Sequence, residues 1–159
     1  MKLSALALVS VGLLGLSLSG VYGKAPVTED TNKREPPTKL QIGVKFRPKD
    51  CPVRSKIGDK IAVHYEGKLF SNGKVFDSSL KRGNPFEFSL GQGHVIQGWD
   101  QGLLNMCVGE KRLLKIPGDL AYGARGAPPD IPANAALVFS TELMAINGKT
   151  AKDLLHQEL

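Results

Sequence analysis

The chain has 159 residues and a mass of 17.1 kDa, with 42% hydrophobic and 23% charged residues, which excludes wholesale disorder or a fibrous repeat and suits one folded domain. Twenty-one Lys and Arg against 15 Asp and Glu give a net charge of +6. Residues 24–60 contain 10 basic and 5 acidic residues, whereas residues 61–159 contain 10 of each, so the excess is N-terminal and a nucleic-acid partner is not expected.

After Met1-Lys2 no charge appears until Lys24. A basic start, an apolar run from Leu3 to Leu18 and small residues at 19–23 predict a signal peptide over 1–23, cut after Gly23 or, as the rival, after Gly20. An uncleaved membrane anchor is the alternative, although Gly12, Gly15 and three serines dilute the span. Membrane contact is therefore expected only through the transient signal. Residues 24–39, KAPVTEDTNKREPPTK, read as a flexible basic arm. The folded domain is expected over 40–147 and a tail over 148–159.

Within the domain, Ile42, Val44 and Phe46 alternate with polar residues, as do Ile61, Val63 and Tyr65, and each set predicts a half-buried strand. Asn72-Gly73 between apolar runs marks a tight turn. Phe86 and Phe88 flank Glu87 in a short strand, 111–116 is another strand stopped by Pro117-Gly118, and 136–146 is the longest. Between them the period changes: Ile96, Trp99 and Leu103 lie three and four apart on one face of a short helix, with Gly98 and Gly102 as a bare stripe for close packing. Residues 149–155 can add a helical turn. The expected class is α+β, with five or six antiparallel strands wrapped around one short helix. Glu66 and Glu110 read as solvated charges.

The chain ends His156-Gln157-Glu158-Leu159, similar to the KDEL/HDEL retention class. With the signal, it predicts the lumen of the endoplasmic reticulum, or secretion if the tail is an ordinary polar end. Cys51 and Cys107 are the only cysteines. In an oxidising compartment an even count predicts a bridge, two separate buried thiols being the alternative.

The chain has no GxSxG elbow, phosphate-binding loop or HExxH motif, and neither a metal nor a cofactor is expected. Gly91-Gln92-Gly93 is half a nucleotide fingerprint outside any βαβ unit. What stands out is a set of aromatic and aliphatic residues beside one acid that looks buried: Tyr65, Phe76-Asp77, Phe86, Val95-Ile96, Trp99, Tyr122 and Phe139.

The strings VHYEGKLFSNGKVFDSS (63–79), NPFEFSLGQGHVIQGWDQGL (84–103), LAYGARGAPPDIP (120–132) and ALVFSTEL (136–143) resemble the FKBP-type peptidyl-prolyl cis-trans isomerases, the tacrolimus-binding immunophilins, and most of all their small endoplasmic-reticulum members. The resemblance implies an antiparallel sheet around a short helix. It implies that Trp99 floors a proline pocket walled by Tyr65, Phe76, Phe86, Val95, Ile96 and Phe139. It makes Asp77 the pocket carboxylate, Tyr122 a hydroxyl donor to a ligand carbonyl, Arg82 a support for Asp77 and Tyr65, and Ile131 an apolar flap residue. Two flap positions depart from the cytosolic pattern, with Ala127 where His is frequent and Asp130 where Ile is frequent. The implied partners are proline-containing segments of folding secretory proteins and the macrolides tacrolimus and rapamycin, bound by a monomer. The alternative is a lumenal binding module or chaperone that docks partners on the pocket or flap.

Overall fold

The computed structural model describes residues 35–156. The expected signal peptide, most of the arm and the last three residues of the HQEL end lie outside the described residues. Of the arm, residues 35–39 are described, and there Pro37 is buried.

Alternation builds the sheet. Its strands are β1 (Gln41–Phe46), β2 (Lys60–Leu69), β3 (Val75–Ser78), β4 (Phe86–Ser89), β5 (Lys111–Ile116), β6 (Leu137–Ile146) and the two-residue β7 (Lys149–Thr150). They form an antiparallel sheet ordered β1-β5-β6-β2-β3, with β4 also on β2 and β7 on β6. The expected α+β class and antiparallel sheet are found, with seven strands against the five or six expected. The extra pieces are short ones, β3 and β7, where alternation has little room to show. β2 and β6 run side by side from Ile61↔Ile146 to Leu69↔Leu137, and β3 and β4 share the other edge of β2.

Against the one short helix expected, three short α-helices accompany the sheet among the described residues: α1 (Ser79–Arg82), α2 (Gln97–Gly102) and α3 (Ala151–Leu155). α2 lies against β5 through its bare stripe. A Cβ at Gly98 would sit 2.4 Å from Cγ2 of Ile116, and one at Gly102 would sit 2.8 Å from Cδ1 of Leu114. Only hydrogen fits in that space, so the two glycines bring the helix backbone onto the strand and fix the height of Trp99.

The core lies between the sheet and α2, where Ile61, Leu103, Leu114, Ile116, Leu137 and Leu143 are fully buried. β1 departs from expectation. Ile42 and Val44 share a face with Leu114 and Arg112, yet Ile42, Val44 and Phe46 are 46%, 47% and 53% exposed. β1 is an edge strand paired only with β5, so its alternation marks a strand and not a core element.

Cys51 and Cys107 form the expected disulfide. It closes a loop across a sequence separation of 56 residues, an entropic contribution of about 4 kcal/mol in the chain model. Beside it, buried Ser55 donates to the Leu103 carbonyl at 2.6 Å and accepts the Met106 N–H at 2.9 Å. The segment after Cys51 is thereby strapped to the C-terminal end of α2.

Glu110 corrects the sequence reading. It is fully buried rather than solvated. Its carboxylate accepts Arg112 Nε at 2.7 Å, Arg47 Nε at 3.0 Å and the Cys107 N–H at 3.2 Å. Arg112 in turn donates to the carbonyls of Gly102, Leu104 and Asn105. The buried acid therefore ties β1, β5 and the end of α2 together. Burial by itself raises its pKa, but the hydrogen bonds from Arg47, Arg112 and the Cys107 N–H win and hold the carboxyl below the usual range. Glu66 stays partly exposed and pairs with Lys68 at 2.8 Å.

At the C-terminal end of the described residues, the Asp153 carboxylate accepts the Thr150 N–H at 2.9 Å and its hydroxyl at 2.6 Å, which starts α3. Leu154 is buried and joins the core cluster.

Candidate active site

A cavity of about 510 Å³ opens where β2, β3, β4, β6 and the start of α2 converge. Its lining comprises Tyr65, Phe76, Asp77, Phe86, His94, Val95, Ile96, Trp99, Tyr122 and Phe139. The sequence reading names nine of these ten and misses His94. Arg82 stands behind the wall, bonded to two lining residues. Ile131 does not line the cavity: it is buried in the core, and its N–H and carbonyl pair with Ala127 across the 127–131 loop.

Trp99 is the centre of the cluster. It is 4% exposed, and its ring meets Tyr65 at 4.9 Å and 82°, Phe139 at 5.2 Å and 81°, and Phe86 at 6.2 Å and 69°. These edge-to-face contacts set each ring's positive rim against a neighbour's negative face. Phe88 packs on the indole as well, at 5.7 Å. The indole N–H of Trp99 is buried without an acceptor among the described residues. Such orphan donors are rare in ordinary cores and gather at functional sites.

Phe76 and Phe139 form the opposite wall, 5.6 Å apart at 86°. They meet over Gly67, whose missing side chain is what admits them. A Cβ there would lie 2.6 Å from Cζ of Phe76 and 2.7 Å from Cε1 of Phe139. Gly67 faces Phe139 across β2 and β6, a position that strand alternation alone does not reveal.

The polar rim is a three-membered network. The Tyr65 hydroxyl donates to Oδ2 of Asp77 and accepts Nη2 of Arg82 at 2.9 Å, while Nη1 of Arg82 donates to Oδ1 of Asp77. The Asp77 side chain is 41% exposed, so the acid lies at the rim rather than deep in the pocket. Partial desolvation pushes its pKa up, but hydrogen bonds from Tyr65, Arg82 and the Ser78 N–H outweigh this and hold the carboxyl below its ordinary value. Tyr65 is shifted the other way, first by burial and then by donating to Asp77. Burial and the Asp77 charge also raise Tyr122. Both phenols are therefore neutral donors at neutral pH. Tyr65 is engaged by Asp77, whereas the Tyr122 hydroxyl has no partner among the described residues. The Ile96 N–H, at the start of α2, also lacks a backbone acceptor among them.

Among the described residues no three His, Cys, Asp or Glu side chains converge as metal ligands would. What the cavity offers is a ring-lined slot with the Tyr122 hydroxyl and the Ile96 N–H uncommitted at its edge and one carboxylate already committed to protein partners.

Comparison with known proteins bears on the same residues. Residues 51–144 match the family model of the FKBP-type peptidyl-prolyl cis-trans isomerases, a span that contains the whole cavity lining. This chain belongs to that family. Peptidyl-prolyl cis-trans isomerase FKBP15-2 of Arabidopsis thaliana is 56% identical over 142 residues, covering 89% of this chain and 83% of the relative. FK506-binding protein 2 of Dictyostelium discoideum is 53% identical over 142 residues, covering 89% and 96%. The crystal structure of AtFKBP13 superposes with a TM-score of 0.60 at 42% identity, over 70% of this chain and 93% of that one. The chain is an FKBP-type peptidyl-prolyl cis-trans isomerase.

Proposed function

We propose that the cavity around Trp99 is where isomerisation occurs, and that the protein accelerates X-Pro isomerisation in proteins folding in the secretory pathway. The supporting observation is the packing of Tyr65, Phe86 and Phe139 around one buried indole beneath an open mouth. A prolyl ring rests on Trp99 between the walls of Tyr65, Phe76, Phe86, Val95, Ile96 and Phe139.

The chemistry needs no bond-breaking group. Rotation about the X-Pro bond must pass a barrier of roughly 18–20 kcal/mol that reflects amide resonance. The planar amide is more charge-separated than the twisted one, and water solvates its carbonyl. A dry aromatic slot removes that water and disfavours the planar form relative to the twisted one. Donors that meet the carbonyl in its rotated position, the Tyr122 hydroxyl and the Ile96 N–H, add binding that exists only in the twisted state. Asp77 acts as a fixed charge that orients Tyr65 and sets the field of the rim. Its low pKa and committed oxygens suit that role and not proton abstraction.

The same slot accommodates the macrolides tacrolimus and rapamycin; one relative is named an FK506-binding protein, FK506 being tacrolimus. The N-terminal and C-terminal sequence patterns support residence in the endoplasmic-reticulum lumen. The test is turnover of a tetrapeptide with an apolar residue before proline, with and without tacrolimus. Saturable catalysis abolished by the drug supports the proposal; catalysis indifferent to saturating drug refutes it. Imaging a tagged chain with and without its last four residues tests retention.

A further inference from the structure

His94 lines the cavity, and nothing above uses its imidazole. The loop that carries it is held firmly. Both carboxylate oxygens of Asp100, on α2, accept backbone N–H groups, from Gly91 at 2.8 Å and from Gly93 at 3.0 Å. Gly91 and Gly93 take φ of 73° and 70°, conformations that favour glycine, so the loop folds back to meet Asp100. His94 comes next and leads directly into Val95 and Ile96 on the same wall. Its side chain is exposed and makes no hydrogen bond or ion pair with another described residue.

The other titratable groups of the cavity lining are already engaged or neutral. Asp77 on β3 is bonded to Tyr65 on β2 and to Arg82 on α1. Tyr122 is a neutral phenol. Asp100 spends both oxygens on the loop amides. Of the lining side chains whose polar atoms have no role assigned above, His94 is the exposed one.

We infer that His94 reads the residues flanking the proline: its ring N–H donates to a carboxylate beside the prolyl bond. This rests on the cavity being the site of isomerisation. A peptide Glu is ionised at neutral pH, and its carboxylate accepts a ring N–H more strongly than the amide of Gln does. The contact acts at a solvated mouth and is small, about two- to fivefold in kcat/KM.

The test uses tetrapeptides that differ only in Glu or Gln next to the proline, placed in turn on each side. The quantity read is the Glu-to-Gln ratio of kcat/KM within each protein, so general changes in activity cancel. At pH 7.5, His94→Phe should lower the ratio by about two- to fivefold for at least one placement. His94→Glu should lower it further, and His94→Lys should hold it at or above the wild-type value. A ratio unchanged in both His94→Phe and His94→Glu overturns the inference. Trp99→Leu separates the two levels: if it leaves Gln-peptide turnover intact, the cavity assignment itself falls. If it removes turnover while the His94 variants leave the ratio unchanged, only the role of His94 falls.

Discussion

The Cβ that an alanine would add at Gly67 lies 2.6 Å from Cζ of Phe76, well inside contact distance. The same atom would press on Phe139, so one hydrogen on β2 keeps two cavity walls in place. Gly67→Ala should displace both rings, cost about 1–3 kcal/mol of stability and lower kcat/KM for peptide isomerisation. Urea unfolding together with the peptide assay checks this. Unchanged turnover would mean that the Phe76–Phe139 wall does not touch substrate.

Asp77 predicts a pH dependence of defined sign. Its folded-state pKa is depressed, so its contribution is fully present above the unfolded value of about 3.9 and is lost as pH falls through the folded one. Because the side chain is 41% exposed, the contribution is small, up to about 1 kcal/mol. The stability gap between wild type and Asp77→Asn should therefore be constant from pH 5 to pH 7 and close below about pH 4. A gap that widens on acidification would contradict the network with Tyr65 and Arg82.

Glu110 is a buried acid between two arginines, one of them, Arg112, itself buried. Removing the acid strands Arg112 without its charge partner inside the protein. Glu110→Ala should cost about 3–5 kcal/mol, measured by denaturant unfolding. Substituting the partly exposed Glu66, which pairs with Lys68, should cost less than about 1 kcal/mol.

Those two glutamates also show where a sequence stops being informative. Each stands in an alternating or turn context that suits a surface charge, and only tertiary neighbours separate them. Arg112 is two residues from Glu110, but Arg47 is 63 away. Local patterns were legible where one local force dominates. Alternation locates β2 and β4, strand-like runs locate β5 and β6, and the Gly98–Gly102 stripe locates the face of α2 that meets β5. Alternation in β1 located a strand but misjudged its burial, because an edge position depends on the whole sheet order. In the cavity, nine lining residues carried recognisable chemistry or a family pattern. His94 and Gly67 did not: one is a polar residue in a glycine-rich loop, and the other contributes by the absence of a side chain.

The central claim is that isomerisation takes place over Trp99. The most direct measurement compares kcat/KM for one X-Pro tetrapeptide in wild type, Trp99→Leu and Phe76→Ala, with circular dichroism confirming that each variant is folded. A loss of about tenfold or more in both variants, corresponding to about 1.4 kcal/mol or more of transition-state stabilisation, is the predicted result. Wild-type turnover in two folded variants would contradict it.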